Sequence, residues 1–242
     1  MNREYHTWRS PHLRREMDLL IFGHAGARVL VFPTRAGRFF DCENWGIVEA
    51  VRDKIERGWL QLFCVDSVDA ESFYCNWCPP CDRMRRHQEY ESYLIDEVLP
   101  LTRHKNPDMH LTTFGCSFGA FHAVNLAFRH PHLVGKVVAC SGRYDLTQAI
   151  GDFRDLLDGH YDESVYFNTP CHFVPNIRDE ILLEHLRRME ITLAVGETDP
   201  FLPNNQQLCR ALCDIQAPHA LHVWHGRAHS PRAWRRMAQE WL

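Results

Sequence analysis

The chain has 242 residues, of which 45% are hydrophobic, and its 27 basic and 31 acidic side chains leave a formal charge of −4. That much apolar sequence predicts one large α/β domain, and the intermixed charges indicate neither a nucleic-acid surface nor a polybasic membrane patch. The N-terminus has no apolar signal segment, and no run of about 18 apolar residues occurs. We therefore expect a cytoplasmic protein with a single domain, 1–242, whose partner is a small molecule rather than a nucleic acid or a membrane.

The first segments predict an antiparallel edge of a sheet. Residues 17–22 and 28–33 are strand-like runs, and the four residues Gly23–Gly26 between them are typical of a hairpin turn. Apolar residues with helical spacing follow over 46–57, and Gly58 is expected to end that helix.

From residue 59 onward, strand-like and helical segments alternate as a parallel sheet requires. A nearly continuous apolar run, typical of a strand buried on both faces, occurs at 59–66, and a further buried strand is predicted at 136–141. Strands are also predicted at 191–196 and 219–224. Helices are predicted before Pro100, after Ser117, and at 204–213 and 231–242. Residues 143–188 break the alternation, so we expect a cap-like insertion at about 143–190 in a mostly parallel sheet with helices on both faces.

The segment Gly115-Cys116-Ser117-Phe118-Gly119 fits the pattern G-x-S-x-G. A β-rich run precedes it and an apolar helical face follows it, which distinguishes it from an ordinary serine in a glycine-rich turn. In this context the serine lies on a strained turn, and the flanking glycines let strand and helix approach closely. Ser117 is therefore the candidate nucleophile.

A serine nucleophile needs a base and an acid, and both follow strands of the predicted sheet. Ligands of a parallel sheet bind at the carboxyl ends of its strands, where Asp199 and His229 are expected. An imidazole can take the proton of Ser117, while a carboxylate holds the correct tautomer of the ring. The chain order Ser, Asp, His is that of α/β-hydrolases. Asp145 and Glu197 remain alternatives for the acid.

Acyl transfer also requires hydrogen-bond donors for an oxyanion. The backbone N–H of Phe118, directly after the candidate nucleophile, is one. The second is expected from the loop after the strand at 28–33, where Thr34, Arg35 or Ala36 can present an N–H, and position favours Arg35. A side-chain role for Arg35 in binding an acidic group is a further hypothesis.

The segment Asn76-Trp-Cys-Pro-Pro-Cys81 is similar to the W-C-x-x-C site of thiol-disulfide oxidoreductases, with Cys78 and Cys81 as the redox pair. Such a site should directly follow an early strand, whereas this one lies in a long loop. Together with Cys75 the pair could bind zinc or an iron–sulfur cluster, but no fourth ligand with suitable spacing is evident. We expect thiols in a loop at the rim of a pocket, and most of the other cysteines to be free and buried.

The whole chain resembles the putative-esterase family of α/β-hydrolases, which includes esterase D-like carboxylesterases, feruloyl esterases and bacterial mycolyltransferases. The resemblance rests on five segments in the same order, which are 29–33, 115–131, 141–145, 195–199 and 224–229. It implies Ser117 as nucleophile, Asp199 as acid and His229 as base, with no metal or organic cofactor. One departure is that Ser230 and Pro231 follow His229, where relatives often have an acidic and an aromatic residue.

The expected activity is hydrolysis of a carboxylic ester through an acyl-enzyme on Ser117, and the resemblance implies acyl transfer as an alternative outcome. Two other classes remain: a catalytically inactive binding module of the same fold, and an oxidoreductase using Cys78 and Cys81. The acyl group, the alcohol and the oligomeric state are not predicted.

Overall fold

The computed structural model describes all 242 residues. Eight strands form one mixed sheet. They are β1 (Arg3–Arg9), β2 (Glu16–Phe22), β3 (Ala27–Phe32), β4 (Leu60–Val65), β5 (Leu111–Cys116), β6 (Lys136–Cys140), β7 (Glu190–Gly196) and β8 (His219–Trp224). Their order across the sheet is β1-β2-β4-β3-β5-β6-β7-β8, with every pair from β4 to β8 parallel and the first two pairs antiparallel.

Eleven helices connect the strands or cover the sheet. They are α1 (Asp41–Asn44), α2 (Ile47–Ala50), α3 (Arg52–Glu56), α4 (Pro80–Tyr93), α5 (Leu99–Lys105), α6 (Phe118–Arg129), α7 (Glu163–Phe167), α8 (Pro170–Phe173), α9 (Glu180–Arg188), α10 (Leu202–Asp214) and α11 (Pro231–Trp241). A π-helical turn at Leu94–Val98 joins α4 to α5, and a 3₁₀ turn at Val174–Asn176 follows α8. None of the helices combines the length and the apolar character needed to cross a membrane.

The predicted hairpin between 17–22 and 28–33 is wrong, because β4 lies between these two segments. It pairs antiparallel with β2 and parallel with β3. The antiparallel hairpin is formed instead by β1 and β2, in register from Arg3 opposite Phe22 to Arg9 opposite Glu16. Every residue of β1 is at least partly exposed, so this edge strand carries no apolar run that would predict it.

Two predicted helices also differ from the structure. The segment 46–57 is two short helices, α2 and α3, rather than one, since Val51 leaves helical geometry at φ −110°. The helix expected to end around Pro100 continues to Lys105. The π-helical turn before Pro100 changes the hydrogen-bonding register, which accommodates a residue with no N–H to donate.

The strands from β2 to β7 are buried on both faces of the sheet, whereas the edge strands β1 and β8 are partly exposed. Alternate residues of its strands enter two apolar layers: Leu19 and Ile21 of β2 pack into one and Leu20 and Phe22 into the other. Helix α6 contributes to the first layer, whereas α1 to α3 and α11 cover the second. This arrangement leaves the carboxyl ends of the parallel strands free to carry polar groups.

The segment between β6 and β7 is mostly irregular and contains the short helices α7 to α9 and the 3₁₀ turn at Val174–Asn176. Three of its leucines pack against Phe118 and Phe121 of α6 in a third, smaller apolar cluster. These leucines are Leu146, Leu156 and Leu157. The segment is thereby held beside the start of α6.

Candidate active site

Ser117 lies on a sharp turn between β5 and α6. Its φ of 56° and ψ of −120° are strained for an L-residue, and its N–H donates to the carbonyl of Cys140 on the neighbouring strand at 2.8 Å. A Cβ on Gly115 would lie 2.1 Å from the carbonyl oxygen of Gly119, and a Cβ on Gly119 would lie 2.5 Å from that of Phe32. Only glycine fits at these two positions, and the turn directs Ser117 outward at the carboxyl end of the sheet.

Three side chains that the sequence predicts as a triad are joined by hydrogen bonds. The hydroxyl of Ser117 is 3.0 Å from Nε2 of His229, and Nδ1 of His229 is 2.8 Å from Oδ2 of Asp199. The other oxygen of Asp199 accepts the backbone N–H of Phe201 at 3.0 Å, and the carboxylate is buried. With Nδ1–H donating to Asp199, Nε2 is free to accept the proton of Ser117.

The alternative acids are engaged elsewhere. Asp145 accepts hydrogen bonds from Nε2 of His172 at 3.1 Å and from the hydroxyl of Thr147 at 2.7 Å. Burial raises the pKa of Asp145, but these hydrogen bonds outweigh it and leave the pKa below its usual value. Glu197 contacts Nδ1 of His225 at 2.6 Å. Of the three acids considered, only Asp199 contacts His229.

Ser117 lines a pocket of about 290 Å³. The residues that line it are Thr34, Arg35, Tyr74, Ser117, Phe118, Arg143, Phe153, Phe201, His229 and Trp234. Phe118 is the first residue of α6, so its N–H has no partner within the helix. The amides of Thr34 and Arg35 donate to no protein group, whereas Ala36 N–H donates to Oδ2 of Asp69 at 3.1 Å. Three residues whose backbone amides lack a protein acceptor, Thr34, Arg35 and Phe118, therefore line the pocket together with Ser117, whereas the amide of Ala36 is engaged by Asp69.

A buried pair that sequence reasoning missed connects the loop at 34–36 with helix α6, the two segments that carry these donors. Asp69, only 1% exposed, accepts the N–H of Ala36 through one oxygen and contacts Nε2 of His122 at 2.9 Å through the other. His122 lies on α6, stacks on Phe32 and packs edge-on against Phe118, with ring centroids 5.8 and 5.0 Å away. Asp69 follows β4 closely, and this position near the carboxyl end of a parallel strand was the available signal.

Trp234 lies on α11 beside the candidate base. Its ring packs edge-on against His229 at 5.3 Å between centroids, and its indole N–H donates to the hydroxyl of Ser141 at 3.2 Å. Ser230 caps α11, its hydroxyl accepting the N–H of Ala233 at 3.4 Å. An aromatic side chain thus covers His229 from α11, four residues after the cap.

The cysteine motif is not paired as the redox hypothesis requires. Cys78 forms a disulfide with Cys75, while Cys81 is free and exposed in the first turn of α4. Eight cysteines are free, and five of these are buried. No group of three or more His, Cys, Asp or Glu side chains is arranged to bind a metal ion. The hypothesis that Cys78 and Cys81 form a redox pair is therefore wrong, because the disulfide joins Cys75 and Cys78.

Solved structures with a similar fold include a ferulic acid esterase, with a TM-score of 0.78 and 16% identity over 99% of this chain and 95% of that one. An S-formylglutathione hydrolase from Agrobacterium tumefaciens has a TM-score of 0.75 and 18% identity, covering 98% and 92%. An S-formylglutathione hydrolase from Staphylococcus aureus has a TM-score of 0.69 and 14% identity, covering 99% and 94%. At these identities the likeness establishes the fold, and the expected α/β-hydrolase class is confirmed.

A search of curated protein sequences found no match. The family model described as putative esterase, by contrast, matches residues 42–232. That range includes the turn at Ser117 and both predicted partners of the serine, Asp199 and His229. Since the match extends over most of the sequence and agrees with the fold of the solved esterases, the chain belongs to the putative esterase family of hydrolases.

Proposed function

We propose that the protein cleaves a carboxylic ester by an acyl-enzyme mechanism, with Ser117 as nucleophile, His229 as general base and Asp199 as the acid that orients it. The observation that carries this proposal is the continuous series of hydrogen bonds from Ser117 through His229 to Asp199. Ser117 and His229 both line the pocket in which a substrate can bind. An ordinary serine hydroxyl is a weak nucleophile at neutral pH, and this arrangement supplies the base that activates it.

In the first half of the reaction, Oγ of Ser117 attacks the ester carbonyl carbon and its proton moves to Nε2 of His229. The resulting oxyanion accepts hydrogen bonds from the backbone N–H groups of Phe118 and Arg35. Collapse of this intermediate breaks the bond to the alcohol oxygen, which takes the proton from His229. The products of this half are the free alcohol and an ester on Ser117.

In the second half, water replaces the alcohol. His229 takes a proton from the water as its oxygen attacks the acyl carbon, and collapse returns that proton to Oγ of Ser117. The carboxylic acid leaves and the enzyme is restored. If another alcohol enters instead of water, the same steps give acyl transfer.

We propose further that the segment at about 143–190 serves as a cap-like insertion of a single domain. Two of its residues, Arg143 and Phe153, line the pocket beside Ser117. Its leucines pack on the start of α6, and this contact supports the interpretation that the insertion is a fixed wall of the pocket rather than a separate domain. On this proposal the insertion contributes to the choice of substrate.

The direct test is labelling with a fluorophosphonate, read as the intact mass of the purified protein, together with hydrolysis of a short 4-nitrophenyl ester. One adduct on the wild type is expected, because the activated Ser117 oxygen attacks phosphorus as it does a carbonyl carbon. No adduct is expected on Ser117→Ala. An unlabelled wild type without ester turnover would favour the inactive binding module, and an adduct that persists in Ser117→Ala would place the nucleophile elsewhere.

Replacing Asp69 with alanine is expected to lower kcat by about tenfold to a hundredfold. The loop at 34–36, which carries the N–H of Arg35, would lose the hydrogen bond that Ala36 donates to Asp69. The loss should be smaller than the factor of about 10²–10³ that removal of a whole oxyanion donor costs. KM should change little, since the pocket walls are retained. The measurement is steady-state hydrolysis, with thermal unfolding to confirm that the variant is folded. Normal kcat in a folded Asp69→Ala protein would refute a positioning role for this carboxylate.

A further inference from the structure

The pocket beside Ser117 carries positive charge that the protein does not neutralise. Two arginines, Arg35 and Arg143, line it, and no Asp or Glu does. Neither guanidinium lies within 4.0 Å of a carboxylate, whereas 11 of the 24 arginines of this chain form such ion pairs. A cationic pocket without counter-charges is suited to an anionic ligand.

Arg143 is the more informative of the two because it is only 4% exposed. Its Nε and Nη2 donate to backbone carbonyls, among them those of Asp145 at 3.1 Å, Gln148 at 2.5 Å and Arg154 at 2.8 Å. Its Nη1 has no acceptor in the protein and is not sealed from solvent. Since Arg143 lines the pocket, this nitrogen is available to a molecule bound there.

A buried guanidinium without a carboxylate is costly, which makes the absence of a partner informative. Burial lowers the pKa of Arg143, while the nearby acids Asp145 and Asp155 raise it more weakly. Both acids are committed to other groups: Asp145 to His172 and Thr147, and Asp155 to the backbone N–H groups of Leu157 and Gly159. Arginine stays protonated at neutral pH, so the charge on Arg143 remains.

Arg35 and Tyr74 extend this surface across the pocket. The Arg35 guanidinium lies over the ring of Tyr74, 5.7 Å from its centroid, and its side chain makes no hydrogen bond. The hydroxyl of Tyr74 also has no partner, and burial raises its pKa well above the usual value, so it remains an O–H donor. Guanidinium groups match the planar geometry of a carboxylate, and a neutral phenol can add a further donor.

We propose that the substrate is an ester that carries a carboxylate close to the scissile bond, and that Arg143 and Arg35 bind this carboxylate. The inference rests on the proposed esterase function and narrows it to one substrate class. The carboxylate belongs either to the acyl group or to the alcohol, because both portions of an ester bound at Ser117 occupy the same pocket.

Two matched pairs of esters test the proposal. Mono-4-nitrophenyl glutarate differs from 4-nitrophenyl pentanoate by a carboxylate at the end of the acyl chain. Likewise, 4-acetoxybenzoate differs from its methyl ester by a carboxylate on the alcohol. We expect kcat/KM to favour the anionic member of one pair by about tenfold or more, as charge-assisted hydrogen bonds predict. The pair that shows the preference identifies the portion that carries the charge.

Substitutions then test which arginine is responsible for the preference for the anionic ester. Arg35→Met should lower the anionic-to-neutral ratio of kcat/KM by about tenfold, and the ratio cancels any effect on the backbone amide of residue 35. Arg143→Met should lower it further where that variant folds, since the arginine also holds the carbonyls of its own loop. Arg210→Met is the matched control: Arg210 is exposed, forms no ion pair or hydrogen bond and lies outside the pocket, so its ratio should stay within about twofold of wild type.

A neutral ester preferred in both pairs, or a preference unchanged in Arg35→Met, overturns the carboxylate site while leaving the esterase proposal intact. Absence of any turnover instead overturns the esterase proposal. The two remain separable because binding is measured by calorimetry in Ser117→Ala, which does not consume the esters. There the anionic ester should bind about tenfold more tightly than its neutral partner, and equal or undetectable binding of both refutes the carboxylate site.

Discussion

Ser117→Ala is expected to reduce ester hydrolysis by about a millionfold in kcat, the loss found when a triad serine is removed from an enzyme of this mechanism. The reason is that no other hydroxyl or thiol is hydrogen-bonded to His229, and the thiol of Cys116 at the end of β5 is buried. His229→Ala should be almost as damaging, and the double variant no worse than either single one, because triad residues act as a unit. The measurement is kcat for a short 4-nitrophenyl ester with active enzyme counted by fluorophosphonate labelling of the wild type.

The fold should survive Ser117→Ala, so that loss of activity reports on chemistry. The hydroxyl of Ser117 contacts only His229, and alanine tolerates the strained φ of 56° about as poorly as serine does. Ser72→Ala is a suitable control, since Ser72 is a buried serine whose hydroxyl donates to the carbonyl of Val68 and does not line the pocket. Substantial turnover by Ser117→Ala would remove Ser117 from the mechanism, whatever its position on the turn.

The parallel part of the fold could be predicted because its strands carry their own signal. The apolar run predicted at 59–66 is the strand Leu60–Val65, and the strand predicted at 191–196 coincides with β7 except for one residue at its start. Burial on both faces requires apolar residues at every position, which makes such strands visible without knowledge of their neighbours.

Strand order could not be predicted, because it depends on pairing between distant segments. β2 and β3 are both apolar and are separated by only four residues, which is the usual signal for a hairpin. The pairing partner of both, β4, begins 28 residues after β3 ends, at Leu60. Nothing local in β2 or β3 distinguishes the two arrangements, so the local rule failed.

The residues of the candidate site also fall into those that could be predicted from the sequence and those that could not. Ser117, Asp199 and His229 could be proposed because each follows a strand and the chain order matches a known arrangement. Asp69 and Arg143 could not be given roles, because their importance depends on what they contact or fail to contact after folding. Whether a buried arginine such as Arg143 has a carboxylate partner depends on which side chains surround it in the folded protein, and no sequence pattern shows this.

The identity of the acid is decided by two substitutions that remove the same charge. Asp199→Asn is expected to lower kcat by about 10⁴, because the amide nitrogen would donate to Nδ1 of His229 and hold the ring in the tautomer that cannot accept the serine proton. Asp145→Asn is the matched control: Asp145 is equally buried and also binds a histidine, His172, through a carboxylate oxygen. Its kcat should change by less than about tenfold, because neither Asp145 nor His172 touches the pocket. Both rates are measured with the same short ester, alongside thermal unfolding. A severe loss in folded Asp145→Asn with normal turnover in Asp199→Asn would reverse the assignment, and the contact between Asp199 and His229 would then be structural.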